Sequence, residues 1–144
     1  MCDCKNPQEC KRKSEKWKAN QTKFLKTGET EHENFIKKLK GNTATIELDG
    51  HFKIRSQERA VSTSEVLSVI ENGWAVERNQ SVGKASIVLL GYVGKNYRPL
   101  HVVVNQLSDS KWLILTCYDP RSHAWKWTET FDERKCFCND DSDF

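Results

Sequence analysis

His51, Arg55 and Arg59 recur at every fourth position, so on a helix they form one cationic stripe, an imidazole and two guanidiniums a turn apart. Guanidiniums grip phosphate oxygens two at a time, and Glu58 beside them is placed to hold one arginine. His101 sits within the apolar run Leu100, Val102, Val103, Val104. Alternation sets it on the face opposite Leu100, Val102 and Val104. Tyr118, followed by Asp119-Pro120-Arg121, ends another apolar stretch where a proton donor or a phosphate contact would sit. Such groups cleave RNA without a metal. A base takes the ribose 2′-OH proton, arginines steady the charge growing on phosphorus, and an acid protonates the leaving 5′-oxygen. Each group also has a plainer reading: a hydrogen-bonded structural histidine, a salt-bridged solvated helix, an aromatic capping the core. His32 and His123 fall in no motif and read as surface residues.

Cysteines cluster at both ends, Cys2, Cys4 and Cys10 at one and Cys136 and Cys138 at the other, with Cys117 in between. Chain termini often lie close together. Five thiols then meet where a structural zinc needs four. The C-x-C spacing and the wide gap from Cys4 to Cys10 equally suit free or redox-linked thiols, or disulfides. Cys117 reads as a small core residue.

These side chains need a frame to hold them. Trp17, Phe24 and Leu25 share a stripe on a first helix. Thr30 with Glu33 is a capping-box pattern that opens a second, with Phe35, Ile36 and Leu39 on one face and Gly41 closing it in the left-handed conformation. Residues 43–48 alternate as a short strand and 51–60 read as a helix. Ser62 with Glu65 caps another helix that stops at Asn72-Gly73. Residues 74–78, 85–93, 100–106, 111–118 and 124–131 then read as five short strands. Turn-like Gly94-Lys95-Asn96 and Ser108-Asp109-Ser110 join neighbours into antiparallel hairpins. The expected fold is α+β, with N-terminal helices packed on an antiparallel β-meander. Ile87, Leu89, Val102, Val104, Leu113 and Leu115 are the expected core.

The 144 residues suit one domain with appendages: a basic helical arm at 1–41, an α+β body at 42–131 and an acidic, cysteine-containing tail at 132–144. Charge follows that division, with net +5 over residues 1–41, +2 over 42–128 and −4 over 129–144. A basic arm on a near-neutral body suits a polyanion. With 30% charged residues and a mean hydropathy of −0.73, the longest apolar run, 87–93, is far too short to cross a bilayer. No apolar signal region opens the chain, so a cytoplasmic protein without a membrane partner is expected.

Three ordered blocks carry a resemblance over about residues 50–128. The first is His51-Phe52-Lys53-Ile54-Arg55-Ser56-Gln57-Glu58-Arg59. The second is Leu90-Gly91-Tyr92-Val93 with Arg98-Pro99-Leu100-His101-Val102-Val103-Val104. The third is Trp112-Leu113-Ile114-Leu115-Thr116 leading to Tyr118 and Pro120, with Trp125-Lys126-Trp127 behind it. Together they resemble a family of small bacterial proteins grouped as a domain of unknown function, similar to the barnase/RelE-like ribonucleases, whose helical layer packs on a curved antiparallel sheet. That resemblance implies a toxin-type, metal-independent endoribonuclease acting on RNA, needing no cofactor for catalysis and opposed by an antitoxin or immunity protein. His51 and His101 then divide the base and acid roles, Arg55 steadies the phosphorane, Tyr118 orients the phosphate or assists as acid, and Arg59, Arg98 and Arg121 bind substrate. The long arm and the hairpin lengthened by Lys95-Asn96-Tyr97 depart from the family pattern. The alternative is a non-catalytic RNA- or protein-binding module, zinc-held at its termini, with Trp112, Trp125 and Trp127 as a stacking surface.

Overall fold

Residues 6–137 are described by the computed structural model, apart from the side chains of Lys53 and Arg55. The first element is one helix, α1 (Pro7–Lys40), rather than two. The Asn6 side chain caps it by accepting from the Glu9 amide, and Pro7 sits in the first turn where its missing N–H costs nothing. Thr30 does not break the helix, because its hydroxyl turns back to the Lys26 carbonyl at 3.2 Å. Gly41 closes the helix at φ −85°, and it is Asn42, at φ 61°, that takes the left-handed conformation. A helix this long holds because it lies along the body: Gln21, Gly28, His32 and Phe35 are buried on one face. The arm therefore builds the domain rather than extending from it.

Then follow β1 (Thr45–Leu48), α2 (Phe52–Glu58), α3 (Thr63–Asn72), β2 (Trp74–Ser81), β3 (Lys84–Val93), β4 (Arg98–Ser108), β5 (Lys111–Tyr118) and a 3-10 segment, Pro120–Lys126, kinked at His123. The capping box forms as expected, with Ser62 and Glu65 satisfying each other's backbone amides. Strands β2 to β5 make the antiparallel meander. The five-stranded sheet, ordered β1-β5-β4-β3-β2, is nonetheless mixed, because β1 joins β5 in parallel with Ile46 opposite Trp112. Such pairing needs a crossover, supplied here by α2, α3 and three strands.

Two expectations about the last third change. Residues 124–131 are not a strand; Asp119 caps the 3-10 segment, and Trp127 makes only an isolated bridge to Arg134. In β5 the buried alternates are Trp112 and Ile114 rather than Leu113 and Leu115. A bulge between Val103 and Val104 shifts the register there, and the Trp112 indole stacks on Phe35 at 4.0 Å with the rings 9° apart.

The sheet thus carries two cores. Phe35, Phe52, Val66, Val69 and Ile70 from the helices pack on Ile87, Leu89, Val102, Val104 and Ile114. On the other face Val76, Val88, Leu90, Val103 and Tyr118 pack under Trp127 and Phe131. The 3-10 segment and the chain after it form the lid over this second core.

Candidate functional site

His101 lies in that second core. It alternates with Leu100 and Val102, which face the helices, and it pairs across the sheet with Leu90 and Tyr118. The chain after β5 covers it completely. Its ring sits edge-on to Tyr118 at 5.2 Å and to Trp127 at 4.5 Å. The Phe131 carbonyl can only accept, so Nε2–H donates to it at 2.8 Å, and Nδ1 then accepts from the Tyr118 hydroxyl at 3.1 Å. Burial pushes its pKa down to about 4, against the opposing pull of the Phe131 carbonyl and the Asp119 charge. The imidazole is therefore neutral, bonded at both nitrogens and shut away from solvent.

His51 stands elsewhere. It is exposed in the turn before α2, where its amide donates to the Asp49 carboxylate at 2.9 Å. Arg59 lies just beyond the other end of α2, about 12 Å further along at the helical rise. Arg55 is on α2 between them, its side chain outside what the structure describes. α2 packs on the helical face of the sheet and His101 on the opposite face. The two histidines thus do not share a hollow.

The arginines beyond α2 do gather. Strand β1 covers β5 only as far as Ile114. Past that point Arg59 reaches the open edge of β5, donating to the Cys117 carbonyl at 2.5 Å and to the Thr116 hydroxyl at 3.0 Å. Arg98, at the start of β4, donates to the Arg59 and Ala60 carbonyls at 2.9 and 3.0 Å and to Asp119 at 3.2 Å. Arg121 closes on the same carboxylate at 2.8 Å. Burial raises the Asp119 pKa, but the hydrogen bonds from Arg121 and Arg98 outweigh it and hold the carboxyl below its usual range. Two guanidiniums on one carboxylate, with that of Arg59 on the adjoining edge of β5, leave this end of the sheet cationic. Arg59 and Arg98 also oppose the rise that burial gives the Cys117 thiol pKa.

Asp119 was not among the sequence candidates, although it organises this cluster. Its signal was Asp-Pro at the end of a strand, the combination that caps a following helical turn. His32, expected on the surface, is buried in α1 and hydrogen-bonded through Nε2 to the Ile70 carbonyl at 2.7 Å. His123 is half-buried, 6.1 Å from the Trp125 ring. Trp112, considered for a stacking surface, is buried at 1% exposure and cannot meet a base there.

Of the five cysteines considered for zinc, Cys2, Cys4 and Cys138 lie outside the described residues. Cys136 is disulfide-bonded and in this state offers no thiolate to a metal. Cys10 is buried, and its Sγ accepts from the Phe137 amide at 3.3 Å. Cys10, Cys136 and Phe137 do pack together with Trp17 and Trp125, so the two ends meet as expected. Among the described residues, no group of three or more His, Cys, Asp or Glu side chains is placed to hold a metal. Nor is any helix among them long and apolar enough to cross a membrane.

A family model described as Domain of unknown function (DUF4258) matches residues 48–119, half of the chain. The chain belongs to that family. The DUF4258 segment runs from the last residue of β1 to Asp119 and so contains His51, Arg59, Arg98, His101 and Tyr118. It leaves out α1 and Arg121. No curated protein and no solved structure matches the chain.

Proposed function

We propose that this DUF4258 protein is a toxin-type endoribonuclease that binds RNA at the cationic end of its sheet and cleaves it without a metal. The observation that carries the reading is the pairing of Arg98 and Arg121 with Asp119, with Arg98 also bonded to the Arg59 carbonyl. Of these, Arg121 is the most open to solvent, its side chain 55% exposed, and it makes the first phosphate contact. The sheet with α2 and α3 on one face is consistent with the barnase/RelE-like resemblance, which remains a fold-level analogy.

The roles follow the burial. His51 is the exposed imidazole of the DUF4258 segment and serves as the base. It removes the 2′-OH proton, the 2′-oxygen attacks phosphorus, and the bond from phosphorus to the 5′-oxygen breaks as that oxygen takes a proton. Arg55 steadies the phosphorane. Water supplies the proton to the 5′-oxygen, and Arg98 and Arg121 orient the phosphate; Tyr118 hydrogen-bonds His101 in the core on the opposite face of the sheet from His51. A neutralising antitoxin or immunity protein is the partner this reading implies.

Purified protein mixed with total RNA should leave 2′,3′-cyclic phosphate and 5′-hydroxyl ends. Expression in bacteria should slow growth, and His51→Ala should abolish both effects. Cleavage by His51→Ala at the wild-type rate removes the assignment. The closure of His101 favours a second reading, RNA binding without cleavage. That outcome is intact RNA bound with an affinity that drops steeply with salt and falls further in Arg121→Ala.

A further inference from the structure

A trough runs between α1 and the start of β2, away from the arginine cluster. Two hollows of about 530 and 490 Å3 meet at Glu29, Trp74 and Ala75. Trp74 is 46% exposed there, and its ring stands 6.3 Å from that of Tyr92, itself 44% exposed. Adjacent exposed rings form a contiguous apolar patch, and such patches mark interaction sites more than single exposed side chains do. Trp17 lines the same trough, its indole N–H fixed by the Glu77 carboxylate, and Leu25 and Ile36 add apolar wall.

The charge around these rings is acidic. Glu29, Glu33, Glu71, Asp132 and Glu133 line the trough against Lys18, Lys37 and Lys40, a net −2 on a chain of net +3. Glu29, Glu33, Glu71 and Glu133 make no ion pair among the described residues. A phosphate backbone would be repelled here. A guanidinium suits both features, since it stacks flat on an indole and pairs with carboxylates through its fork of N–H groups. Strand addition to β2 is blocked where Gln21 already bonds the Arg78 amide and carbonyl, at 2.8 and 3.1 Å, so the occupant must dock by its side chains.

We propose that this trough docks an arginine-bearing segment of a partner protein, one guanidinium lying on Trp74 between the carboxylates and a neighbouring apolar side chain resting on Leu25 and Ile36. The proposal does not rest on the ribonuclease reading, because none of Arg59, Arg98 and Arg121 lines the trough.

The test titrates a 12-residue peptide of alternating arginine and leucine into the full chain, followed by tryptophan fluorescence and calorimetry. The same peptide with glutamate for arginine, and a 12-nucleotide oligouridylate, serve as counter-probes. The arginine peptide should bind and the glutamate peptide should not. Trp74→Ala should weaken binding at least tenfold, and Glu29→Lys with Glu133→Lys should abolish it. Glu15→Lys with Glu47→Lys, an equal charge change outside the trough, should leave it within twofold. Circular dichroism confirms that each variant is folded. Three results overturn the proposal: no binding of the arginine peptide, binding indifferent to Trp74→Ala and to the double reversal, or oligouridylate binding that depends on Trp74.

Discussion

Lowering the pH should unfold this protein through His101 before any carboxylate cluster gives way. In the unfolded chain its imidazole takes a proton near pH 6.5, whereas in the fold it does so only near pH 4. Between those values the unfolded state holds the extra proton, so stability present above pH 6.5 is lost progressively as the pH falls to 4. The slope is about 1.4 kcal/mol per pH unit and the whole loss about 3 kcal/mol, a large part of a stability on the order of 5–15 kcal/mol. Asp119 and Asp132 have carboxyls held below their usual range, so their contributions disappear only at lower pH, as it falls from about 3.8 downward. Urea denaturation across pH 4.5–7.5 should show the loss, and His101→Gln isolates it. The amide can still donate to Phe131 and accept from Tyr118 but does not titrate. The variant should be within about 2 kcal/mol of wild type at pH 7 and should lack the extra slope below pH 6.5. A constant gap between the two proteins from pH 6.5 to 4.5, or a His101 imidazole titrating near 6.5 by NMR, refutes the buried, doubly bonded assignment.

Three further outcomes test how the elements are held. Gln21→Ala strips the Arg78 amide and carbonyl of their partners and should cost about 2–3 kcal/mol in urea, whereas Thr22→Ala on the exposed side should stay within about 0.5 kcal/mol; equal costs would dismiss the clamp. Glu31→Ala leaves the guanidinium of Arg78, whose side chain is only 7% exposed, without its carboxylate and should cost about 2 kcal/mol. Replacing both residues with apolar ones should recover part of that loss in the same denaturation assay. Arg98→Ala cuts the ties to the Arg59 and Ala60 carbonyls and to Asp119. Amide exchange should quicken between α2 and α3, with about 2 kcal/mol lost from global stability; unchanged exchange there would mean the turn holds by itself.

What was legible in the sequence was local. The Ser62–Glu65 cap, the hairpins from β2 to β5 and the inward faces of β3 and β4 depend on residues a few positions apart, and all appear in the structure. What was not legible depends on distant partners. The parallel pairing of β1 with β5 joins residues more than 60 positions apart, and no spacing signals it. The continuity of α1 through Thr30 follows from burying Gly28, His32 and Phe35 against the body. Gly28 leaves the room that Arg78 occupies, since a Cβ there would come within 3.1 Å of that side chain. The inverted phase of β5 comes from a bulge and from the Phe35–Trp112 stack, neither of which alternation can express.

The same distinction governs the candidate site. Alternation correctly set His101 opposite Leu100 and Val102, but it names faces and does not say which are covered. With residues 124–131 read as a strand, that second face had no cover, and an imidazole on it looked available for chemistry. Once those residues instead fold over the sheet, Phe131 and Trp127 close on the ring and its chemistry is confined to Tyr118. The stripe of His51, Arg55 and Arg59 failed differently. The helical spacing was sound, but α2 is only seven residues long, so the end members of the stripe fall outside it. Arg59 is consequently drawn to the uncovered edge of β5 while His51 stays in solvent. His101 therefore reaches no further than the Tyr118 hydroxyl, and because the glutamine amide keeps that bond, His101→Gln should alter neither cleavage nor RNA affinity. The arginines around Asp119 should set that affinity.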